Sequence, residues 1–268
     1  MSRYTVIGAG GYIGRRLVKT LTESGHEVFA PGRDNGDLFG ADLGKVFYCA
    51  GLTGDYRTRP YDTAEAHVGL ISRLLDQGRF DRLVYLSSTR LYDVLSDGVA
   101  SEDRALPLNS NDPRHVYELT KMTGEVLAVT QSGGRGCVAR LAYVFDEAGD
   151  GFLSQWLARA TQDRDLTLDS SPGNGRDYIH LDDVVRGLRA MLDQDAQGIV
   201  NLASGERLTN RAIASVFEAR GWRISFSQTQ DMALPVNIAV DRLAALGASA
   251  RPVLPLIDAW LGSLAQPR

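Results

Sequence analysis

Short apolar runs and segments of helical period take turns along the first half of the chain. "RYTVIG" (Arg3 to Gly8) reads as a buried strand, and Tyr12 to Ser24 repeats its apolar residues at helical spacing until Gly25 stops it. "HEVFAPG" and "KVFYCAG" are the next strands, and a helical pattern follows from about Asp62 to Gln77. "DRLVYLSS" predicts a further strand, Asp112 to Thr130 a helix entered through an Asp-Pro pair, and "GCVARLAYVF" a strand once more. Strands that alternate with helices of this length call for a doubly wound parallel sheet with helices on both faces, an α/β fold of Rossmann type.

Beyond about residue 146 the rhythm loosens. A helix (Phe152 to Thr161) and a polar stretch ("LDSSPGNGRD") precede a helix (Leu181 to Leu192), a strand ("GIVNLAS") and a helix (Asn210 to Arg220), and the tail has two helical patterns divided by prolines. This predicts a small C-terminal substrate-binding lobe. Residues 1–145 with returning segments at about 176–203 form the dinucleotide domain, and 146–175 with 204–268 the lobe.

Composition narrows the classes. A chain of 268 residues with 44% hydrophobic residues builds an ordinary globular core, and a net charge of −4 without charge runs argues against a nucleic-acid or anionic-membrane partner. The start runs straight into a strand, and no apolar run reaches the roughly 18 residues of a membrane span, so a cytoplasmic protein is expected. Cys49 and Cys137 lie in apolar strands and read as small buried hydrophobes, with no metal site expected.

"VIGAGGYIGRRL" places Gly8, Gly11 and Gly14 three apart between a strand and a helix. The first suits the tight turn, the second lets backbone approach a pyrophosphate, and the third lets helix and strand pack closely. Tyr12 and Ile13, at the helix N-terminus, join the candidate cofactor residues, as do Ala50 and Gly51 after the strand "KVFYC". The second strand ends "FAPGRD", where Gly32 fills the position of a ribose-binding acid and Arg33 stands beside it. A guanidinium without a carboxylate favours a 2′-phosphate, so NADP(H) is preferred over NAD(H); the alternative has Asp34 on the ribose and Arg33 in solvent.

Among the 29 Lys and Arg residues only Lys19, Lys45 and Lys121 are lysine, and Lys121 follows Tyr117 at the i, i+4 spacing that shares a helix face. With the glycine turn, "YLSSTRLYD" and "YELTK" together, the chain resembles the extended short-chain dehydrogenase/reductases, the group of nucleotide-sugar epimerases, dehydratases and reductases. "YELTKMTGE" resembles the Tyr-x-x-x-Lys helix and its Gly-Glu, "GRDYIHLDDVVRGL" the segment leading into the lobe, and "VDRLAALG" the C-terminal Leu-Gly element.

The resemblance implies Tyr117, Lys121 and Ser88 as the catalytic set, with Ser87 and Thr89 as neighbours of Ser88. Tyr117 shuttles the proton and Ser88 orients the substrate oxygen. Lys121 lowers the phenol's pKa and holds the nicotinamide ribose. Asp37 and Leu38 resemble an adenine-contacting Asp-Leu, with Asp42 and Leu43 as a rival pair, while Thr89, Tyr143 and Arg176 are expected on the substrate. Family dehydratases carry Asp-Glu where this chain has Thr89 and Arg90, so dehydration is not expected. His67 takes the place of a common Asn, as an active-site neighbour or a plain helix histidine, and the third strand of the usual fold is trimmed. The expected activity is NADPH-dependent reduction of a nucleotide-linked 4-keto-6-deoxy sugar. The alternatives are an NAD-dependent nucleotide-sugar epimerase and, remotely, a non-catalytic dinucleotide sensor. The helix of Tyr117 and the helix before it are expected to build a homodimer.

Overall fold

A computed structural model describes residues 2–32, 38–149, 151–232 and 234–265, so Arg33, Asp34 and Asp37 lie outside the described residues. The chain begins with β1 (Arg3–Ile7), α1 (Tyr12–Glu23), β2 (Glu27–Phe29) and β3 (Lys45–Tyr48). Next, α2 (Pro60–Ala64), a π-turn over Glu65–Gly69 and α3 (Leu70–Gln77) run on without a break, and β4 (Arg82–Ser88) and the short β5 (Val99–Ala100) follow. Then come α4 (Val116–Thr130), β6 (Gly136–Leu141), β7 (Tyr143–Phe145), α5 (Phe152–Ala160), β8 (Asp165–Leu168), β9 (Gly175–His180) and α6 (Leu181–Asp193). The chain continues with β10 (Gly198–Leu202), β11 (Arg207–Thr209), α7 (Asn210–Ala219), β12 (Arg223–Phe226), β13 (Asn237–Ile238), α8 (Asp241–Ala245) and α9 (Val253–Ala265).

Six strands form the main sheet in the order β10-β6-β4-β3-β1-β2, every pair parallel. Successive side chains of a strand point to opposite faces, and both faces of this sheet are covered. Phe47 joins Val6, Val84 and Ala139 under Leu17 and Leu21 of α1 and Val184 and Leu188 of α6. Its neighbours Val46 and Tyr48 face the other way, onto Ile71 and Leu74 of α3 and Ala128 of α4. The chain leaves β1 toward β2 on one side and continues through β3 and β4 on the other. That reversal is the switch point where an open α/β sheet binds ligands outside its strand ends. Among the described residues β2 is the outer strand on its side, as the trimmed third strand requires.

The lobe has its own core. Leu153, Trp156 and Leu157 of α5, Ile213 and Phe217 of α7, and Val253, Ile257 and Leu261 of α9 close over β8 and β12. Pro255 sits in the first turn of α9, where the missing N–H has no intrahelical partner to lose.

The short strands β5, β8, β11, β12 and β13 have no counterpart in the sequence expectation, and other elements differ from it in position. "GCVARLAYVF" is two strands: β6 stays in the main sheet, and β7 leaves it to pair with β9. The break falls at Ala142, whose N–H reaches across to the Leu202 carbonyl at 2.9 Å, where the chain crosses from the sheet to the lobe. Part of the polar stretch is strand: β9 carries Arg, Asp and His in a mostly buried run, with no alternation to reveal it. Arg176 and Asp177 therefore belong to the three-stranded β7-β9-β11 sheet, while α6 and β10 return to the main one. The helix expected to start near Asp62 starts at Pro60, a residue suited to the first helical position.

Candidate active site

The glycine turn joins β1 to α1 under tight constraint. Gly8 has φ +85°, and a Cβ there would stand 2.8 Å from the Ala50 nitrogen. A Cβ on Gly14 would run into the Gly8 carbonyl oxygen. Gly10 and Gly11, in contrast, are exposed, and a Cβ on Gly10 would meet nothing within 4 Å. Gly11 caps α1 with no side chain on the free N–H groups and no acidic residue in the first turn. An open, amide-bearing helix end of this kind fits the diphosphate of a dinucleotide. Ile13 packs against the core, and the Tyr12 phenol donates to Asp146 Oδ1 at 2.7 Å. Arg16 Nη2 holds Asp146 Oδ2 at 3.1 Å, so Asp146 ties the lobe onto α1.

Of the adenine pair, Leu38 is buried in the core with Ile7, Leu43 and Val46. Asp42, from the rival pair, is exposed, and its carboxylate accepts from the Gly44 N–H at 3.1 Å.

At the carboxyl ends of β3 and β4 the expected catalytic residues converge. Tyr117, on the first turn of α4, is 2% exposed, and the side chains of Ser88 and Thr53 are the polar neighbours that act on its hydroxyl. Ser88 is fixed in turn, because the N–H of Arg90 donates to its Oγ at 3.1 Å. Lys121, one turn further along α4, is aimed elsewhere: its ammonium donates to the Leu86 carbonyl at 2.8 Å and lies 4.9 Å from the centre of the Tyr85 ring. A Cβ on Gly51 would come within 3.1 Å of Lys121 Nζ and 3.3 Å of His67 Nε2, so only glycine keeps that approach to the lysine free.

The electrostatics depart from the lowered phenol pKa expected of Tyr117. Burial raises it above the ordinary tyrosine value; the polar side chains of Ser88 and Thr53 and the Arg90 guanidinium pull it down, and Glu118 pushes it up. Burial also lowers Lys121, to about 8, while Glu125 and the Cys49 thiol favour its charge. Burial and the neighbouring Lys121 hold His67 down to about 3, so this ring is neutral. Thr120 Oγ1 lies 2.9 Å from His67 Nδ1 and holds the start of α4 through the carbonyls of Val116 and Tyr117 at 2.8 and 3.0 Å. His67 Nε2 is buried without a partner beside Gly51 and Lys121. The π-turn that carries His67 is invisible to helical periodicity.

Thr89, Tyr143 and Arg176, expected on the substrate, line one pocket together with Tyr92, Asp93, Val236 and Ile238. Arg176 lies 5.3 Å from the centre of the Tyr143 ring. Sequence reasoning missed Thr53 and Tyr56, which reach the site from the loop after β3. Tyr56 is buried at 4% exposure, with its ring 5.5 Å from that of Tyr117. Neither residue carries a spacing signal. Cys49 and Cys137 are free thiols, both pushed up to about 12 by burial and therefore protonated. Among the described residues no helix is long and apolar enough to cross a membrane, and no group of His, Cys, Asp and Glu is arranged to hold a metal ion.

The sequence model of the NAD dependent epimerase/dehydratase family matches residues 4–203. UDP-glucuronic acid decarboxylase 1 of Xenopus tropicalis is 25% identical over 267 residues, an alignment that takes in 85% of this chain but only 63% of the decarboxylase, less than two thirds of its length. The dTDP-4-dehydro-6-deoxy-D-allose reductase of a Streptomyces species is 24% identical over 282 residues, covering 87% of this chain and 86% of the reductase. RMD from Pseudomonas aeruginosa, solved in complex with NADPH, shares the fold with a TM-score of 0.75 at 20% identity, over 98% of this chain and 99% of that one.

Proposed function

This chain belongs to the NAD dependent epimerase/dehydratase family, and from that premise we propose that it is an NADPH-dependent reductase of a nucleotide-linked 4-keto-6-deoxy sugar. The observation that carries the reading is what stands beside Ser88. One phenol, Tyr117, has Ser88 as a polar neighbour of its hydroxyl, and the next two positions hold Thr89 and an Arg90 committed to Glu118, so these two positions offer no free acid–base pair for elimination of water. A carbonyl reduction asks the protein for one proton and an oriented oxygen. The similarity to a deoxy-allose reductase over most of both chains supports the same reading.

The open glycine turn and the approach at Gly51 fit a dinucleotide, which supplies hydride when bound. Gly8, Gly11 and Gly14 with the first turn of α1 would hold its diphosphate, and Ala50, Gly51 and Lys121 its nicotinamide half. Ser88 then orients the substrate carbonyl, and Tyr117 passes its hydroxyl proton to the oxygen. The burial that raises its pKa keeps Tyr117 in the protonated, donating form at neutral pH. Thr89, Tyr143 and Arg176 receive the sugar and its diphosphate, for which a guanidinium is suited by its paired donors.

Oxidation of NADPH by purified protein with a nucleotide-linked 4-keto-6-deoxy sugar, matched mole for mole by alcohol product, is the expected result. Interconversion of sugar epimers without net NADPH oxidation, by a protein that purifies with NAD bound, overturns it in favour of an epimerase. The choice of NADP rests on Arg33. Arg33→Ala is expected to weaken NADPH binding by roughly tenfold to a hundredfold, the loss of one charge-assisted contact of about 1.5–3 kcal/mol, and to leave NADH nearly unchanged. Equal losses for both cofactors in a binding titration remove the argument for NADP.

A further inference from the structure

The cation packed on the Tyr117 ring is an arginine, and its side chain is held in place by three neighbours. Arg90 follows β4 in a short 3-10 turn, with its Cζ 5.0 Å from the centre of the Tyr117 ring and 4.8 Å from that of Tyr56. Its Nε donates to Glu118 Oε1 at 2.8 Å, and its Nη2 to the Tyr56 hydroxyl at 2.7 Å. The Arg90 backbone N–H meanwhile fixes Ser88. One residue thus grips both partners of the proton transfer.

We propose that Arg90 is a positioning residue for Tyr117, its guanidinium stabilising the phenolate across the ring face while Glu118 limits how far that stabilisation goes. The inference rests on the reading of Tyr117 as proton donor. A cation over an aromatic face is attracted to the ring, and the attraction grows when the ring carries the negative charge of a phenolate. The geometry has a second consequence. Glu118 is 5% exposed, one of its oxygens holds Arg90, and Oε2 is buried without a partner, so the guanidinium over the Tyr117 ring carries a carboxyl group with it as a counterweight. The other groups around Tyr117 are weaker candidates for this task. Tyr56 brings an aromatic ring, burial keeps the Tyr85 phenol protonated, His67 meets the Tyr117 ring edge-on as a neutral imidazole, and the Lys121 ammonium is bonded to Leu86.

Opposite charges in one clamp make opposite predictions, and these are readable without substrate or cofactor. Difluorotyrosine placed at position 117 titrates well below tyrosine and reports its own ionisation by fluorine NMR, free of the other tyrosines. In that background Arg90→Met is expected to raise the phenol's pKa by about 1 or more, Arg90→Lys to raise it less, and Glu118→Gln to lower it. Should Arg90→Met fail to fold, Arg90→Lys takes its place beside Glu118→Gln, since the loss of Glu118 lowers the phenol's pKa by itself and says nothing alone of Arg90. Movement of both variants in the same direction, or of neither, reduces Arg90 to packing and overturns the proposal. Because the titration uses ligand-free protein, the proposed reductase activity and the electrostatic clamp fail or survive separately.

Discussion

Tyr117→Phe is expected to fold and to bind cofactor as the parent does while its turnover falls by a factor of about 10²–10⁴, the range of a lost general acid–base group. The substitution removes one oxygen from a ring that stays packed against Tyr56 and His67, which is why the fold survives. The pH profile of the parent enzyme gives the same residue a second signature. Reduction requires the protonated phenol, and burial places its pKa above the ordinary tyrosine value, so kcat is expected to hold through neutrality. On the alkaline side it declines first as Lys121 loses its proton near pH 8 and then as Tyr117 ionises. Lys121→Met is expected to lack the first of these declines. Steady-state kinetics of the three proteins over pH check both statements, and a Tyr117→Phe enzyme with parental kcat would show the hydroxyl to be idle.

The second large effect is on stability. Arg140 on β6 and Glu125 on α4 form an ion pair with 4% and 3% of their side chains exposed, through bonds of 2.9 and 2.6 Å. Arg140 also donates to the Tyr92 hydroxyl at 2.9 Å, and Tyr92 passes its own proton to Asn201 Oδ1 at 2.8 Å, so helix, strands and lobe-facing turn meet in one network. Glu125→Leu leaves a buried guanidinium without its carboxylate, which costs about 3–5 kcal/mol. For a chain of this size that corresponds to a thermal midpoint lower by roughly 10 °C. Adding Arg140→Met removes the stranded charge, and the double variant is expected to recover most of the loss. Denaturation curves of both variants test this; a single variant within a few tenths of a kcal/mol of the parent contradicts the role given to the pair. The same substitution reaches the active site, because Glu125 is the larger of the two influences that favour the charged form of Lys121, and its loss moves that lysine's pKa downward.

The parts of the fold that could be read in advance are those where local pattern and tertiary placement agree. β1, α1, β4 and α6 carry unbroken apolar runs or a single amphipathic face, and they lie where the pattern puts them. β9 was hidden because Asp177 and His180 are polar residues whose burial is paid by partners distant in sequence; Asp177 accepts from Ser204 and Gly205, and His180 meets Arg251. In the candidate site, the Tyr117 and Lys121 spacing suggested one helix face, and the resemblance to the family put Ser88 beside Tyr117. The aim of Lys121 was not legible, since an i, i+4 relation fixes the helix face and leaves the long side chain free to choose a carbonyl over a phenol. Thr53 and Tyr56 were illegible for another reason: a loop has no period, and its side chains acquire meaning only from the surface on which it folds down.

The scarcity of lysine has a practical use. Acylating reagents attack free amines and pass over guanidinium groups, so a chain whose cations are almost all arginine presents them with very little background. Lys19 stands 69% exposed on α1, Lys45 is held by Asp193 at 2.9 Å, and Lys121 is enclosed at 5% exposure. Above about pH 8 Lys121 is already the unprotonated, nucleophilic form, and only its enclosure protects it. The rate at which it acquires an acyl tag, read by mass against the prompt labelling of Lys19, becomes a clock for how often the interior of the site opens to solvent.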